Sequence, residues 1–270
     1  MNTNNNVYTI VYTTIVVVIA AAILALAAMA LKPRQQANIK AETISQMLTA
    51  AGFSSKEDLA KLGNDQILKM YSDNIKTAFL IDAKGDKTGE LETAVGDIEL
   101  QDNLKVENKN IAAGNPQLPV YVFTKDGAEI IVIPIYGAGL WGPIWGYVAF
   151  EKGSSTIKGA YFDHESETAG LGAKIKDDPA FQAAFNGKQA AFDKTPVFQI
   201  VKGAEGTLAD NQIDAITGAT MTSQGLDAAI NTWFAAYAKY FLANTAKQHC
   251  GNCQHEGDHE NCENHEATEE

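Results

Sequence analysis

Asp214-Ala215-Ile216-Thr217-Gly218-Ala219-Thr220-Met221-Thr222-Ser223 is the stretch whose residue types and spacing could do chemistry. A turn of small residues runs into a helix start that is crowded with hydroxyls. The first N–H groups of a helix lack internal partners and, with the dipole, form an anion site. Gly218 permits a positive φ and a close ligand approach. A phosphate at Thr220 could then be held by the amides of 221–223. A string of Thr, Gly and Ala is also what an ordinary helix cap looks like, so the pattern alone leaves both readings open. A second cluster, His164-x-x-Glu167-Thr168-x-Gly170-Leu171-Gly172, sets a carboxylate and a hydroxyl in a glycine loop. Gly137 to Gly146, with Trp141 and Trp145, marks a close backbone approach or a strand connection with core tryptophans. Cys250, Cys253, His255 and Cys262 could supply four zinc ligands, but lie in an acidic tail without apolar residues to pack around a metal.

These groups need elements to hold them. Val7 to Leu31 is uncharged for 25 residues of the 270, about 37 Å of helix, long enough to cross a bilayer. Ala28-Met29-Ala30 resembles a signal cleavage site, yet residues 1–6 carry no Lys or Arg and the run is too long, so a retained anchor is expected. Lys32, Arg34 and Lys40 follow the span, and charge bias alone would put the C-terminal side in the cytoplasm. Ile44, Met47, Leu48 and Ala51 continue at helical spacing to a C-cap at Gly52. Ser54 to Glu57 matches a capping box opening a helix with Leu59 and Leu62 inward. Ile67, Met70, Tyr71 and Ile75 predict a helix, and Thr77 to Asp82 a strand; 83–114 read as loops or short edge strands.

From Pro119 the pattern becomes strands. Val120–Phe123 and Glu129–Ile133 flank Lys125-Asp126-Gly127, and Gly146–Phe150 and Thr156–Phe162 flank Glu151 to Ser154: two hairpins. Asp178-Pro179 opens a short helix with Phe181 and Phe185, and a strand runs near Val197–Val201. A last helix opens at Thr222-Ser223, its buried face Leu226, Ile230, Trp233, Tyr237 and Phe241. Strands followed by helices indicate an α+β domain. The expected division is an anchor at 1–33, a helical and mixed part at 34–114, the binding domain at 115–247, and a disordered acidic tail at 248–270. Seven of the twelve net negative charges belong to that tail, and the absence of a basic stripe argues against nucleic-acid binding. No G-x-G-x-x-G follows a strand into a helix, so nothing predicts an NADH site on this chain.

Asp214 to Thr220, with Thr217, Gly218 and Ala219, matches D-x-x-[ST]-G-A-[ST], and on it the chain resembles the FMN-binding domain family. That family is shared by the C subunit of the Na+-translocating NADH:quinone reductase and the G subunit of the Rnf complex. The single span, Gly137-x-Gly139-Leu140-Trp141 and the His164–Gly172 cluster agree, through about residue 247, and the length is more similar to the C subunit. Ala169 departs from the proline usual in the family, which loosens the loop without removing a polar contact. The resemblance implies an extracytoplasmic antiparallel sheet with packed helices, on the periplasmic side of a bacterial inner membrane. It implies FMN carried covalently through a phosphoester on Thr220, attached by a Mg2+-dependent flavin transferase that reads Asp214 and its motif. Glu167, Thr168, Leu171 and Gly172 would line the flavin pocket, with Leu140, Trp141 and Thr222 nearby. The flavin would relay electrons from an iron–sulfur centre to a second FMN on the B subunit, in a Na+-exporting complex with subunits A, B, D, E and F. The competing expectations are the G subunit of an Rnf complex and, in another class, a non-redox membrane-anchored metal-binding protein using Cys250, Cys253, His255 and Cys262.

Overall fold

The computed structural model describes residues 6–91, 101–203 and 207–253. The chain divides into two compact units, 1–42 and 43–270. The first consists of most of helix α1, Asn6–Ala50, which is one uninterrupted element through Pro33. Its apolar run has mean hydropathy 2.8 and none of it is buried, and it is the one described helix long and apolar enough to cross a membrane. A water-exposed face of this kind has no stable place in a soluble fold, which fits a single-pass anchor.

The second unit begins with the last turns of α1. Gly52, at φ 74°, ends them as expected. Phe53 N–H donates back to the Leu48 carbonyl at 2.9 Å and Gly52 N–H to that of Thr49 at 3.0 Å, the double bond pattern of a glycine C-cap. The short α2, Lys56–Leu59, is capped one residue later than the capping box predicts: Ser55 accepts from Asp58 N–H at 3.1 Å. Next come α3, Asn64–Asn74, and β1, Ile75–Ile81, so Ile75 falls in the strand rather than on the helix stripe. The edge strand β2 is Lys87–Leu91. Helix α4, Gln101–Ala112, replaces part of the loop expected at 83–114. Its apolar residues are too sparse to announce a helix; Leu104 is buried, and Asn108 Oδ1 accepts from Trp233 Nε1 at 2.9 Å.

Strands β3, Leu118–Lys125, and β4, Ala128–Ala138, form the first predicted hairpin. Its turn puts both Asp126 (φ 50°) and Gly127 (φ 80°) in the left-handed region, the twist a two-residue hairpin needs. Strands β5, Pro143–Glu151, and β6, Ile157–His164, form the second. The six strands make one sheet, β2-β1-β3-β4-β5-β6, antiparallel throughout, which joins the stretch expected at 34–114 to that expected at 115–247. Short helices α5, Lys174–Asp177, and α6, Pro179–Ala183, follow, then β7, Gln199–Val201, paired in parallel with β8, Gln212–Asp214. The long α7 runs from Thr220 to Cys253, taking Cys250 and Cys253 into its backbone; His255 and Cys262 lie outside the described residues.

Both faces of the sheet are covered. Ile44, Met47, Leu48 and Tyr71 pack with Tyr121, Phe123, Val132, Tyr147 and Tyr161 on one face. The predicted stripe Leu226, Ile230, Trp233, Tyr237 and Phe241 packs with Val120, Ile133, Ile135, Val148, Phe150 and Phe162 on the other. Residues 118–123 of β3 are therefore buried without alternation, as a strand between two helical layers must be. Helix α7 lies unusually close to β4. A Cβ on Gly137 would meet Ala229 Cβ at 2.5 Å, and one on Gly225 would collide with the Ala138 carbonyl. These glycines seat the start of α7 against the end of the hairpin, and that contact assembles the site.

Candidate functional site

Three segments converge where α7 begins. The first is the β4–β5 turn, closed by Gly139 N–H donating to the Gly142 carbonyl at 2.8 Å. At its tip Leu140 and Trp141 are 50% and 66% exposed. The second is the loop leaving β6. His164 Nδ1 accepts from Glu167 N–H at 3.1 Å, and the Thr168 carbonyl accepts from Leu171 and Ala173, both at 3.1 Å. Gly170, at φ 76°, completes this turn and leaves Leu171 43% exposed. The third is the motif segment between β8 and α7. There Ala219 N–H donates to the Ile216 carbonyl at 3.1 Å, and Gly218 has φ 83°.

The carboxylate of Glu167 ties the three together. Although only 8% exposed, its Oε1 accepts from Trp141 N–H at 2.9 Å and its Oε2 from the Thr222 hydroxyl at 2.7 Å. A Cβ on Gly139 would collide with Oε1, and one on Gly172 would stand 2.5 Å from Oε2 and 2.6 Å from Thr222 Oγ1. Both glycines exist to make room for this carboxylate. Ser166, which the motif did not single out, adds a hydroxyl bond to the Trp141 carbonyl at 3.0 Å. Gly218 abuts Leu171: a Cβ there would be 3.0 Å from Cδ2.

The hydroxyls at the helix start have different fates. Thr222 and Ser223 are both buried. Thr222 is engaged with Glu167, and Ser223 Oγ accepts from Ile216 N–H at 3.2 Å. Thr220 is half-buried, and its Oγ1 has no hydrogen-bond partner among the described residues. The helix starts two residues earlier than the sequence pattern suggests, and Ser223 N–H already donates to the Ala219 carbonyl at 2.9 Å. The amides free to meet an anion are accordingly those of 220–222 rather than 221–223. Met221, 57% exposed, adds a further exposed apolar side chain to Leu140, Trp141 and Leu171 on the segments that converge at the start of α7. Such exposed apolar side chains on polar loops offer a binding surface for something flat and apolar.

Asp214 and Thr217 stand apart from this cluster. Both are exposed and line a groove of about 400 Å³ with Lys174, Asp178, Phe181 and Ile216. A larger groove, about 660 Å³, lies on the α1 side near Pro179. Its lysines are already engaged: Lys158 with Glu151, Lys176 with Asp163, and Lys56 over the Tyr161 ring. It gathers none of the motif residues. Sequence reasoning passed over Ser166 and Gly225, which no pattern marks; Gly139, Met221 and Ser223 lay within the quoted stretches without a site role of their own.

An FMN-binding domain model matches residues 139–235, which spans all three converging segments. The chain is 27% identical over 222 residues to the C subunit of the Na(+)-translocating NADH-quinone reductase of Vibrio vulnificus, covering 78% of this chain and 84% of that protein. It is 27% identical over 263 residues to the corresponding protein of Pseudomonas aeruginosa, covering 91% and 98%. These relatives are by name subunits of an oxidoreductase complex. Among solved structures, the same subunit from Parabacteroides distasonis superposes with a TM-score of 0.64 at 29% identity, covering 78% of this chain and 96% of that one. The Shewanella oneidensis NqrC structure gives 0.62 at 27% identity, covering 78% and 99%.

Proposed function

Because the chain resembles the C subunit of the Na(+)-translocating NADH-quinone reductase along most of its length and carries an FMN-binding domain, we propose that it is the FMN-bearing electron carrier of such a complex. In this reading FMN is joined by a phosphoester to Thr220 and supplies the electron-carrying chemistry that no side chain here provides. The observation that carries it is the state of the hydroxyls: at the helix start, Thr222 and Ser223 are buried and bonded, and Thr220 is left free.

The residues present fit the group. The amides of 220–222 and the α7 dipole suit the single negative charge of a phosphodiester. Gly218, at φ 83°, turns the chain into α7 with Leu171 against it, and Leu140, Trp141, Leu171 and Met221 offer apolar surface for a ring system. Thr168 is exposed on the same loop as Leu171, and Gly172 is buried against Glu167 and Thr222. Attachment is a phosphoryl transfer: the Thr220 Oγ–P bond forms as a phosphoanhydride bond of a flavin dinucleotide breaks, and a nucleoside monophosphate leaves with the electron pair. The hydroxyl proton passes to a base. A threonine hydroxyl is a weak nucleophile at neutral pH, and no cation or base contacts Thr220 among the described residues. A separate flavin transferase must therefore provide both, with Asp214 and Thr217 on the exposed groove as its reading surface.

The soluble part, 34–247, would work beside subunits A, B, D, E and F, held to a bacterial inner membrane by α1 and facing the periplasm. The basic residues after the span oppose that orientation; the likeness to the C subunit supports it. Alkaline phosphatase fused at the C-terminus should be active, and an inactive fusion would reverse the orientation. The main test is the mass of the peptide containing residue 220 from chain co-expressed with a flavin transferase. One FMN phosphoryl group is expected on Thr220, and Thr220→Ala should lose all denaturation-resistant yellow fluorescence. An unmodified wild-type peptide, or flavin retained by Thr220→Ala, refutes the reading.

A further inference from the structure

The most costly feature of the site is one the attachment chemistry does not use. Glu167 is a buried carboxylate that no Lys or Arg among the described residues pairs with, and it is satisfied only by a backbone amide and a hydroxyl. Burying a charge against neutral donors is unfavourable, so its retention calls for a function. Its two oxygens reach two different segments, and two glycines are shaped around it.

We propose that Glu167 is a positioning residue that sets which hydroxyl of the 220–223 stretch is presented for modification and where the Trp141 tip stands. This rests on the assignment of Thr220 as the attachment point. By accepting the Thr222 hydroxyl's hydrogen bond, the carboxylate turns that side chain inward and fixes the rotation of the first turn of α7. Thr220, two residues earlier and so about 200° away around the helix, is thereby kept out of that buried position, half-buried and with its hydroxyl unengaged. By accepting from Trp141 N–H, it holds the β4–β5 tip over the same turn. His164 supports this indirectly, since its Nδ1 accepts from Glu167 N–H and fixes the backbone from which the carboxylate projects. Glu167 forms and breaks no bond in the transfer step; it acts through Thr222 and Trp141.

The test uses the full-length chain, co-expressed with a flavin transferase and purified in detergent. It measures flavin per folded chain, the modified residue by peptide mass, and hydrogen exchange of the peptide 139–145. Glu167→Ala should lower flavin per chain at least tenfold and raise exchange at 139–145 at least tenfold, with the rest of the sheet unchanged. Glu167→Gln keeps an acceptor for Trp141 and a partner for Thr222 Oγ1, and should stay within twofold of wild type in both. Should Glu167→Ala not fold, Thr222→Val decides: removing one of the two donors should lower flavin yield about threefold. Wild-type yield and exchange in Glu167→Ala, or in Thr222→Val where only that variant folds, would overturn the proposal. So would an equal tenfold loss in Glu167→Ala and Glu167→Gln, since the charge rather than the hydrogen-bond geometry would then matter. Thr220→Ala, run alongside, separates the two ideas: flavin retained there means that the attachment point itself is wrong.

Discussion

At the start of α7, Thr222 and Ser223 are enclosed while Met221 stands in solvent; three turns later Trp233, Phe234 and Tyr237 are enclosed while Thr232, Ala235 and Lys239 are exposed. One helix thus follows the usual burial rule along most of its described length and reverses it in the first turn. The later turns stabilise the domain by apolar packing, as in the aromatic group of Phe150, Phe192, Phe234 and Phe241, with ring centroids 4.4–5.8 Å apart. The first turn uses its buried positions for hydrogen bonds and places the apolar Met221 in solvent. That inversion is what a surface shaped for a ligand looks like, and it separates the site from the scaffold more sharply than any single motif residue.

The difference can be broken by graded substitution, read as stability of the full chain in detergent. Trp233→Ala should cost about 3–5 kcal/mol, because it opens a large cavity in the core. It also strips the Tyr136 carbonyl of the indole N–H that donates to it at 2.8 Å. Ser223→Ala should cost about 1–3 kcal/mol, since Ile216 N–H, 3.2 Å from Ser223 Oγ, would be left buried without its acceptor. Met221→Ser should lie within about 0.5 kcal/mol of wild type. If Met221→Ser proved as costly as Ser223→Ala, the first turn would be packed like the rest and the contrast would vanish.

Most of the scaffold was legible in the sequence. Apolar runs flanking Asp126-Gly127 and Glu151 to Ser154 gave the hairpins, and steps of three and four gave α7, because these signals are local. Helix α4 was not legible, since it is held by distant partners: Trp233 donates to Asn108, and Gln117 N–H donates to Glu107 at 2.7 Å. The start of α7 was misplaced by two residues because hydroxyls that read as caps at 222 and 223 are turned inward to Glu167 and Ile216. The site was legible as three glycine-rich segments, through resemblance more than through physics. That a single carboxylate joins them was not, because Glu167 and Thr222 meet only when the β6 loop and α7 are folded against each other. Asp214 and Thr217 show the converse: adjacent to Thr220 in sequence, they face a separate groove.

The smallest effect lies at the border between the two regimes. Asp227, on the second turn of α7, accepts from Ile200 N–H at 2.7 Å and so ties α7 to β7. Burial pushes its carboxyl above the ordinary value of 3.8, against the opposing effect of that hydrogen bond. The folded chain therefore holds this proton more tightly than the unfolded chain does. The stability that Asp227 contributes is fully present below pH 3.8 and is lost as pH rises through the raised value, so at neutral pH its charge is a net cost. Asp227→Asn keeps the acceptor for Ile200 and removes the charge. It should raise stability at pH 7 by under about 1 kcal/mol, as expected for a half-buried group, and the gain should shrink as the pH is lowered toward 4. Loss of stability at pH 7, or a gain that grows on acidification, would mean that the ionised carboxylate is held favourably by the α7 N-terminus. Asp227 would then belong electrostatically to the first turn, and the border between site and scaffold would move one turn along the helix.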